Sequence, residues 1–171
     1  RIVITAAKRG ARSLGIEYNP DLVALSKRIA AKEGVSNKTQ FIQADLFESD
    51  FSQATVLTMF LLPEINLRLR PTILNLKPGT RIVSNSFNMS EWTPDDTVAV
   101  SAEEGCDNNF CEAYFWIVPA KVEGKWKLPQ GELWLNQSFQ MISGTFKSGS
   151  NAVAITDGRL SGDLISFTAG D

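Results

Sequence analysis

Two acidic side chains stand where apolar segments end. Glu17 closes Leu14-Gly15-Ile16-Glu17, and Asp45 closes Phe41-Ile42-Gln43-Ala44-Asp45. A carboxylate at the first place can accept both hydroxyls of a ribose. Each hydrogen bond to a charged acceptor contributes about 1.5–3 kcal/mol. A carboxylate at the second place can accept an exocyclic amine, while the next backbone N–H, that of Leu46, faces a ring nitrogen. Each acid taken alone also reads as a plain strand-end or turn residue. Two at successive strand ends, separated by a helix, describe an adenosine clamp.

A second group follows the third apolar segment. Phe60-Leu61-Leu62-Pro63-Glu64 leads out of it, and Phe60 and Leu62 are candidates to line a substrate pocket. Glu64 is a candidate proton acceptor; its plain alternative is a first-turn acid that stabilises a helix start. Trp92 follows Phe87-Asn88-Met89 and could line a pocket, stack on a cation, or anchor the packing of a later segment. The chain holds no histidine, which excludes Ser-His-Asp and Cys-His nucleophiles and His metal sites. Cys106 and Cys111 cannot make a four-thiolate zinc site, and they read as two separate thiols before they read as one disulfide.

These residues need elements to hold them. Residues 1–9 read as an amphipathic helix and Ser13–Glu17 as a strand. Asn19 is a helix N-cap, with Pro20 at the first position and Asp21 on the positive end. Leu22, Leu25, Ile29 and Ala30 predict one buried stripe, and Gly34 a stop. Thr39–Ala44 is a second strand. Thr55–Leu61 is a third, apolar enough to be buried on both faces. Glu64–Asn75 is a helix with Ile65, Leu69 and Leu76 on one side, Lys77-Pro78-Gly79 a turn, and Thr80–Ser86 a fourth strand. Alternation at these lengths predicts βαβ units.

After Asn88 the composition changes. Phe115–Val122, Glu132–Phe139, Met141–Phe146, Ala152–Thr156 and Asp163–Thr168 read as strands, with turns at Gly124, Gly131, Ser148-Gly149-Ser150, Asp157-Gly158 and Ser161-Gly162. Trp116, Trp126 and Trp134 are expected in the core of this part or in its contact with the sheet. The expected division is a core over 1–94, an acidic connection over 95–112 and a β-rich extension over 113–171.

The 171 residues suit one domain or a domain with a small appendage. Net charge is −2, unevenly spread: residues 91–112 hold seven acids and no base, leaving 12 acids against 17 bases elsewhere. That stretch reads as a solvated loop or as a lure for a basic substrate. No dense Lys/Arg cluster with interleaved aromatics appears, so nucleic acid is not an expected partner. No apolar run approaches the ~20 residues of a membrane span, so no membrane partner is expected either.

Ile16-Glu17-Tyr18-Asn19-Pro20, Gln43-Ala44-Asp45-Leu46-Phe47 and Leu76-Lys77-Pro78-Gly79 together resemble class I S-adenosylmethionine-dependent methyltransferases, close to a small bacterial subfamily. Leu62-Pro63-Glu64 through Arg81-Ile82-Val83-Ser84 is similar to lysine methyltransferases of the Dot1 and ATP-synthase c-subunit types. The resemblance covers residues 1–94. It implies a Rossmann-like α/β sheet followed by a small antiparallel β appendage, with S-adenosyl-L-methionine as cofactor. It places Glu17 on the ribose, Asp45 and Leu46 on the adenine, and Tyr18 over the adenine face. It implies an amine acceptor, a small molecule or a protein lysine. The Asn/Asp-Pro-Pro-Tyr/Phe motif of many amino-group methylases is absent, which counts against DNA bases and glutamine.

In the resembled family the glycine loop directly precedes the run Arg1-Ile2-Val3-Ile4. The expectation is therefore an N-terminally truncated sheet that binds its cofactor poorly. A cytoplasmic location is expected, since the cofactor is made there. Two alternatives stand beside this reading: an NAD-type oxidoreductase, which also places an acid on a ribose, and a non-enzymatic β-rich binding module on a cofactor-free sheet.

Overall fold

The computed structural model describes every residue except Ala102, Gly105, Asp107, Asn108, Asn109 and Asp171. Asp107 of the acidic stretch thus lies outside the described residues. The chain forms two compact units, Arg1–Phe51 and Ser52–Asp171.

The first unit runs α1 (Ile2–Lys8), β1 (Ser13–Glu17), α2 (Pro20–Lys32), a single 3-10 turn at Ser36–Lys38, and β2 (Thr39–Gln43). β1 and β2 pair in parallel, from Ser13 against Thr39 to Glu17 against Gln43. Asn19 caps α2 as its residue type demands: its side-chain oxygen accepts from the N–H groups of Asp21 at 2.8 Å and Leu22 at 3.4 Å. Ile4, Ala7, Ala30 and Val35 form the core, with Phe41 packed on it. Gly15 lies opposite Phe41, and a Cβ there would stand 2.7 Å from the ring, so only glycine lets this ring cross the strand.

Of the expected stripe on α2, only Ala30 is buried. Leu22, Leu25 and Ile29 are all exposed, while Val23 and Ala30 are buried. The buried pair is seven residues apart, two helical turns, and Val23 sits about 100° around the helix from Leu22. The buried line therefore shares Ala30 with the expected stripe and takes Val23 in place of Leu22.

The second unit holds two sheets. β3 (Val56–Met59), α3 (Pro63–Ile73), β4 (Arg81–Asn85), β5 (Asp96–Ala99) and β6 (Glu112–Ile117) build the first, in the order β3-β4-β6-β5. β3 and β4 are parallel, whereas β6 is antiparallel to both β4 and β5. β7 (Gly124–Leu128), β8 (Gly131–Ser138), β9 (Met141–Ser148), β10 (Asn151–Ser161) and β11 (Leu164–Ala169) form a five-stranded antiparallel meander. Leu133, Leu135, Ile142, Ile155 and Leu160 are its core, packed by Phe146 and Phe167.

Several expectations shift here. The strand expected at Phe115–Val122 starts at Glu112 and extends the sheet of β3 and β4, not the meander. Residues 95–112 contain β5, and Gly124 opens β7 rather than a turn alone. Asp157-Gly158 lies within β10, where the ladder shifts register between Thr156 and Arg159. Of β3, only Met59 is buried; Val56 and Thr58 are exposed. Among the described residues β3 pairs only with β4, so its apolar character is not matched by two covered faces. Trp116 is fully buried, but Trp126 and Trp134 are 46% and 52% exposed on the meander. Alternation along β8 puts Leu133 and Leu135 inside, which turns Trp134 outward.

Cys106 and Cys111 are joined in a disulfide, which corrects the expectation of two separate thiols. Their Cα atoms are 5.7 Å apart, within the usual bridging range. Among the described residues no helix is long and apolar enough to cross a membrane.

Candidate functional site

The first unit presents its chemistry at the carboxyl edge of the β1–β2 pair. Parallel register brings the ends of both strands to one side, with the Ala44 N–H bonded to the Glu17 carbonyl at 3.1 Å. Glu17 is the last residue of β1, and Asp45 lies two positions beyond β2. Glu17 uses Oε1 to accept from the Asn19 N–H at 2.9 Å. Asp45 uses Oδ1 to accept from the Phe47 N–H at 2.8 Å. Each local bond engages one carboxylate oxygen. Tyr18 is 76% exposed beside them, a free aromatic face.

The second unit presents a different surface, at the carboxyl ends of β3 and β4. Phe60, Phe87 and Phe110 form an aromatic trio, with ring centroids 6.2, 5.4 and 6.1 Å apart. Phe60 and Phe110 are about half exposed, and Leu62 is 58% exposed at the N-cap of α3. Glu64 is an exposed acid in the first turn of α3, the place where a carboxylate complements the helix end.

Trp92 is not a pocket wall. It is fully buried, with its ring 5.9 Å from Trp116 and stacked 5.9 Å from Phe139. Its carbonyl accepts the Trp116 indole N–H at 2.8 Å. Trp92 therefore anchors the turn between β8 and β9 against the first sheet, the packing role that stood as its alternative.

Residues 1–96 match the model of the ANTKMT methyltransferase domain. A protein-lysine N-methyltransferase of Saccharolobus islandicus is 38% identical over 121 residues, covering 69% of this chain and 73% of that protein. The chain belongs to this methyltransferase family. The ATP-synthase c-subunit lysine N-methyltransferase of Rattus norvegicus is 36% identical over 108 residues. That match covers 63% of this chain and 48% of the rat protein, so the chain spans about half the length of such animal relatives. Among solved structures, an RNA methyltransferase from Salinibacter ruber in complex with S-adenosyl-L-homocysteine is 45% identical, with a TM-score of 0.65. It covers 71% of this chain and 76% of that one. Neither the NAD-type reading nor the non-enzymatic reading gains support from these relatives.

In this methyltransferase-family chain, further residues shape the second surface that motif reading passed over. Asn85 ends β4, and its amide nitrogen donates to the carbonyls of Phe110 at 3.2 Å and Glu112 at 3.4 Å. Ser86 follows in the left-handed region at φ 61, and its N–H bonds the Glu112 carbonyl at 2.8 Å. The Tyr114 hydroxyl donates to Glu112 Oε2. That bond first, and burial second, push the Tyr114 phenol above its usual range. A polar Asn-Ser pair closing an apolar strand was the available signal for this cluster. Among the described residues no group of three or more metal-ligating side chains gathers.

Proposed function

We propose that the protein binds S-adenosyl-L-methionine through Glu17, Tyr18, Asp45 and Leu46 and methylates an amine, a protein lysine in particular. The carrying observation is the pair of carboxylates on one edge of the β1–β2 sheet, each with one oxygen held by a local backbone bond. Glu17 binds the ribose hydroxyls, Asp45 and the Leu46 N–H bind the adenine edge, and Tyr18 covers its face. When bound, the cofactor supplies a sulfonium methyl group displaced in line by the acceptor nitrogen, and the departing sulfur needs no proton. The chain's task is then positioning, which alone can supply a large part of such a rate enhancement. The absence of histidine agrees with that chemistry. The lysine N-methyltransferases among its relatives support the acceptor class. The meander is read as an extension carried by this core.

The test is calorimetric titration with S-adenosyl-L-methionine and with NAD, followed by transfer of a tritiated methyl group to lysine peptides and to RNA oligonucleotides. Cofactor binding and label on lysine are expected. Absence of S-adenosyl-L-methionine binding would overturn the proposal. Binding of NAD alone, or label on RNA alone, would overturn the proposal.

A further inference from the structure

The cluster at the end of β4 has the composition of a site for a substrate ammonium group, and we infer that Phe60, Phe87, Phe110, Glu112 and Tyr114 receive the acceptor lysine side chain. The inference deepens the reading of an amine acceptor and rests on it.

β6 is antiparallel to β4, so its first residue, Glu112, lies at the carboxyl end of β4. That is the edge where open α/β sheets place ligands. Glu112 and Tyr114 are two positions apart on one strand, so their side chains share a face, and their hydrogen bond follows. Phe110 is two positions before Glu112, and the ladder reaches back towards it through the bond from the Val100 N–H to the Cys111 carbonyl at 2.8 Å. Asn85 clamps the carbonyls of Phe110 and Glu112 to the end of β4, two residues before Phe87. One amide thus ties the backbone that carries Phe110 and the backbone that carries Glu112 to the end of β4.

The chemistry of the occupant follows from the lining. The half-exposed rings of Phe60 and Phe110, with the partly buried ring of Phe87 behind them, suit an aliphatic stem and a cation beyond it. A carboxylate beside them supplies the opposite charge. Glu112 also closes a stretch of sequence, residues 91–112, that holds seven acids and no base, of which Glu91 and Asp95 pair with Arg70 and Arg159. An anionic acceptor would meet repulsion here. A lysine Nζ in this place is protonated at neutral pH and must lose a proton before it can attack. Glu112 Oε2 is occupied by the Tyr114 hydroxyl, so Oε1 takes that proton. The N–H bond breaks, the O–H bond forms, and the nitrogen keeps the electron pair. Glu112 is then the proton acceptor, Tyr114 orients its carboxylate, and Asn85 is a positioning residue.

The experiment compares wild type with Glu112→Gln, Glu112→Asp, Tyr114→Phe, Phe60→Ala and Asn85→Ala. It reads cofactor affinity by calorimetry and methyl transfer to a lysine peptide across pH. The inference expects unchanged cofactor affinity, confirming that each variant folds. It expects Glu112→Gln to lose about 100-fold in kcat/KM and its acid limb, with partial rescue by Asp. Phe60→Ala should raise KM about tenfold with little change in kcat. Asn85→Ala should flatten the pH profile less than Glu112→Gln does. Wild type that methylates lysine while all variants stay within about twofold would overturn the inference and leave the proposed function standing. Wild type that binds cofactor but labels no amine would overturn both.

Discussion

Arg159 on β10 reaches Asp95 beside β5, its Nη2 lying 2.6 Å from Oδ1, and the same carboxylate accepts the Ile117 N–H of β6 through Oδ2 at 2.7 Å. One aspartate therefore bonds both sheets of the second unit. It also accepts from the buried Gln140 amide at 3.4 Å. The sequence reading set Asp95 in a solvated acidic stretch, yet its side chain is only 12% exposed. Asp95→Ala would leave a backbone N–H and a guanidinium without their acceptor, at a cost of about 2–4 kcal/mol. Asp96→Ala, its exposed neighbour, should cost under about 0.5 kcal/mol. Urea unfolding of the two variants measures the contrast, and equal midpoints would refute it.

Cofactor affinity should respond to the two strand-end acids separately. Glu17→Ala removes the ribose acceptor and Asp45→Ala the adenine acceptor. Each should weaken S-adenosyl-L-methionine binding by about 10- to 100-fold, the equivalent of one or two charged hydrogen bonds. Glu64→Ala should leave cofactor affinity unchanged, because Glu64 belongs to the helix start of α3. Calorimetry on the three variants distinguishes these outcomes.

The strand ends that carry Glu17 and Asp45 were legible because cap, turn and alternation signals are local. Asn19-Pro20 marks the start of α2, and β1 runs over the residues expected of it. The second surface was not legible in this way. Glu112 meets Asn85 across an antiparallel pairing with more than twenty residues between them, and no local pattern encodes that register. The same limit hid β5 and moved β6 from the meander to the first sheet. Trp92 shows the converse: its residue type fits both a pocket and a core, and only the rings of Trp116 and Phe139 decide between them.

Acid sensitivity should have a traceable component at Glu91. Arg70 Nη1 lies 2.7 Å from Glu91 Oε2 and also donates to the Met89 carbonyl at 2.8 Å. The bond to Arg70 holds the Glu91 carboxyl below its ordinary value of 4.5. A group whose folded pKa is lowered stabilises the fold above its unfolded value and loses that contribution as pH falls through the folded value. Glu91→Gln should therefore lower stability near neutrality and match wild type once pH drops well below 4.5. Thermal unfolding across that range tests the convergence. A constant gap at all pH values would show that packing, not charge, is responsible.

The Cys106–Cys111 bond closes a short loop immediately before Glu112. Closing a loop of this length removes roughly 2 kcal/mol of unfolded-state entropy. Thiol counting under denaturing, non-reducing conditions should find no free thiol, and two after reduction. The double variant Cys106→Ser, Cys111→Ser should lose roughly that stability while cofactor affinity stays unchanged, since Glu17 and Asp45 lie in the other unit. Two free thiols in the untreated protein would refute the bond in solution.

The Tyr114 phenol offers a direct reading of the Glu112 pair. The chain has two tyrosines, so Tyr18→Phe leaves Tyr114 as the sole ionising phenol. Its hydrogen bond to Glu112, together with burial, raises its pKa above 10.0. The neutral phenol is thus favoured by folding, a contribution fully present below the unfolded value and lost as pH rises through the folded one. Ultraviolet difference absorbance in the Tyr18→Phe background should show ionisation displaced upward. Adding Glu112→Gln removes the charged acceptor and should bring the ionisation back down. If the two titrations coincide, the carboxylate does not hold the phenol, and Tyr114 cannot be what orients Glu112 towards a substrate ammonium.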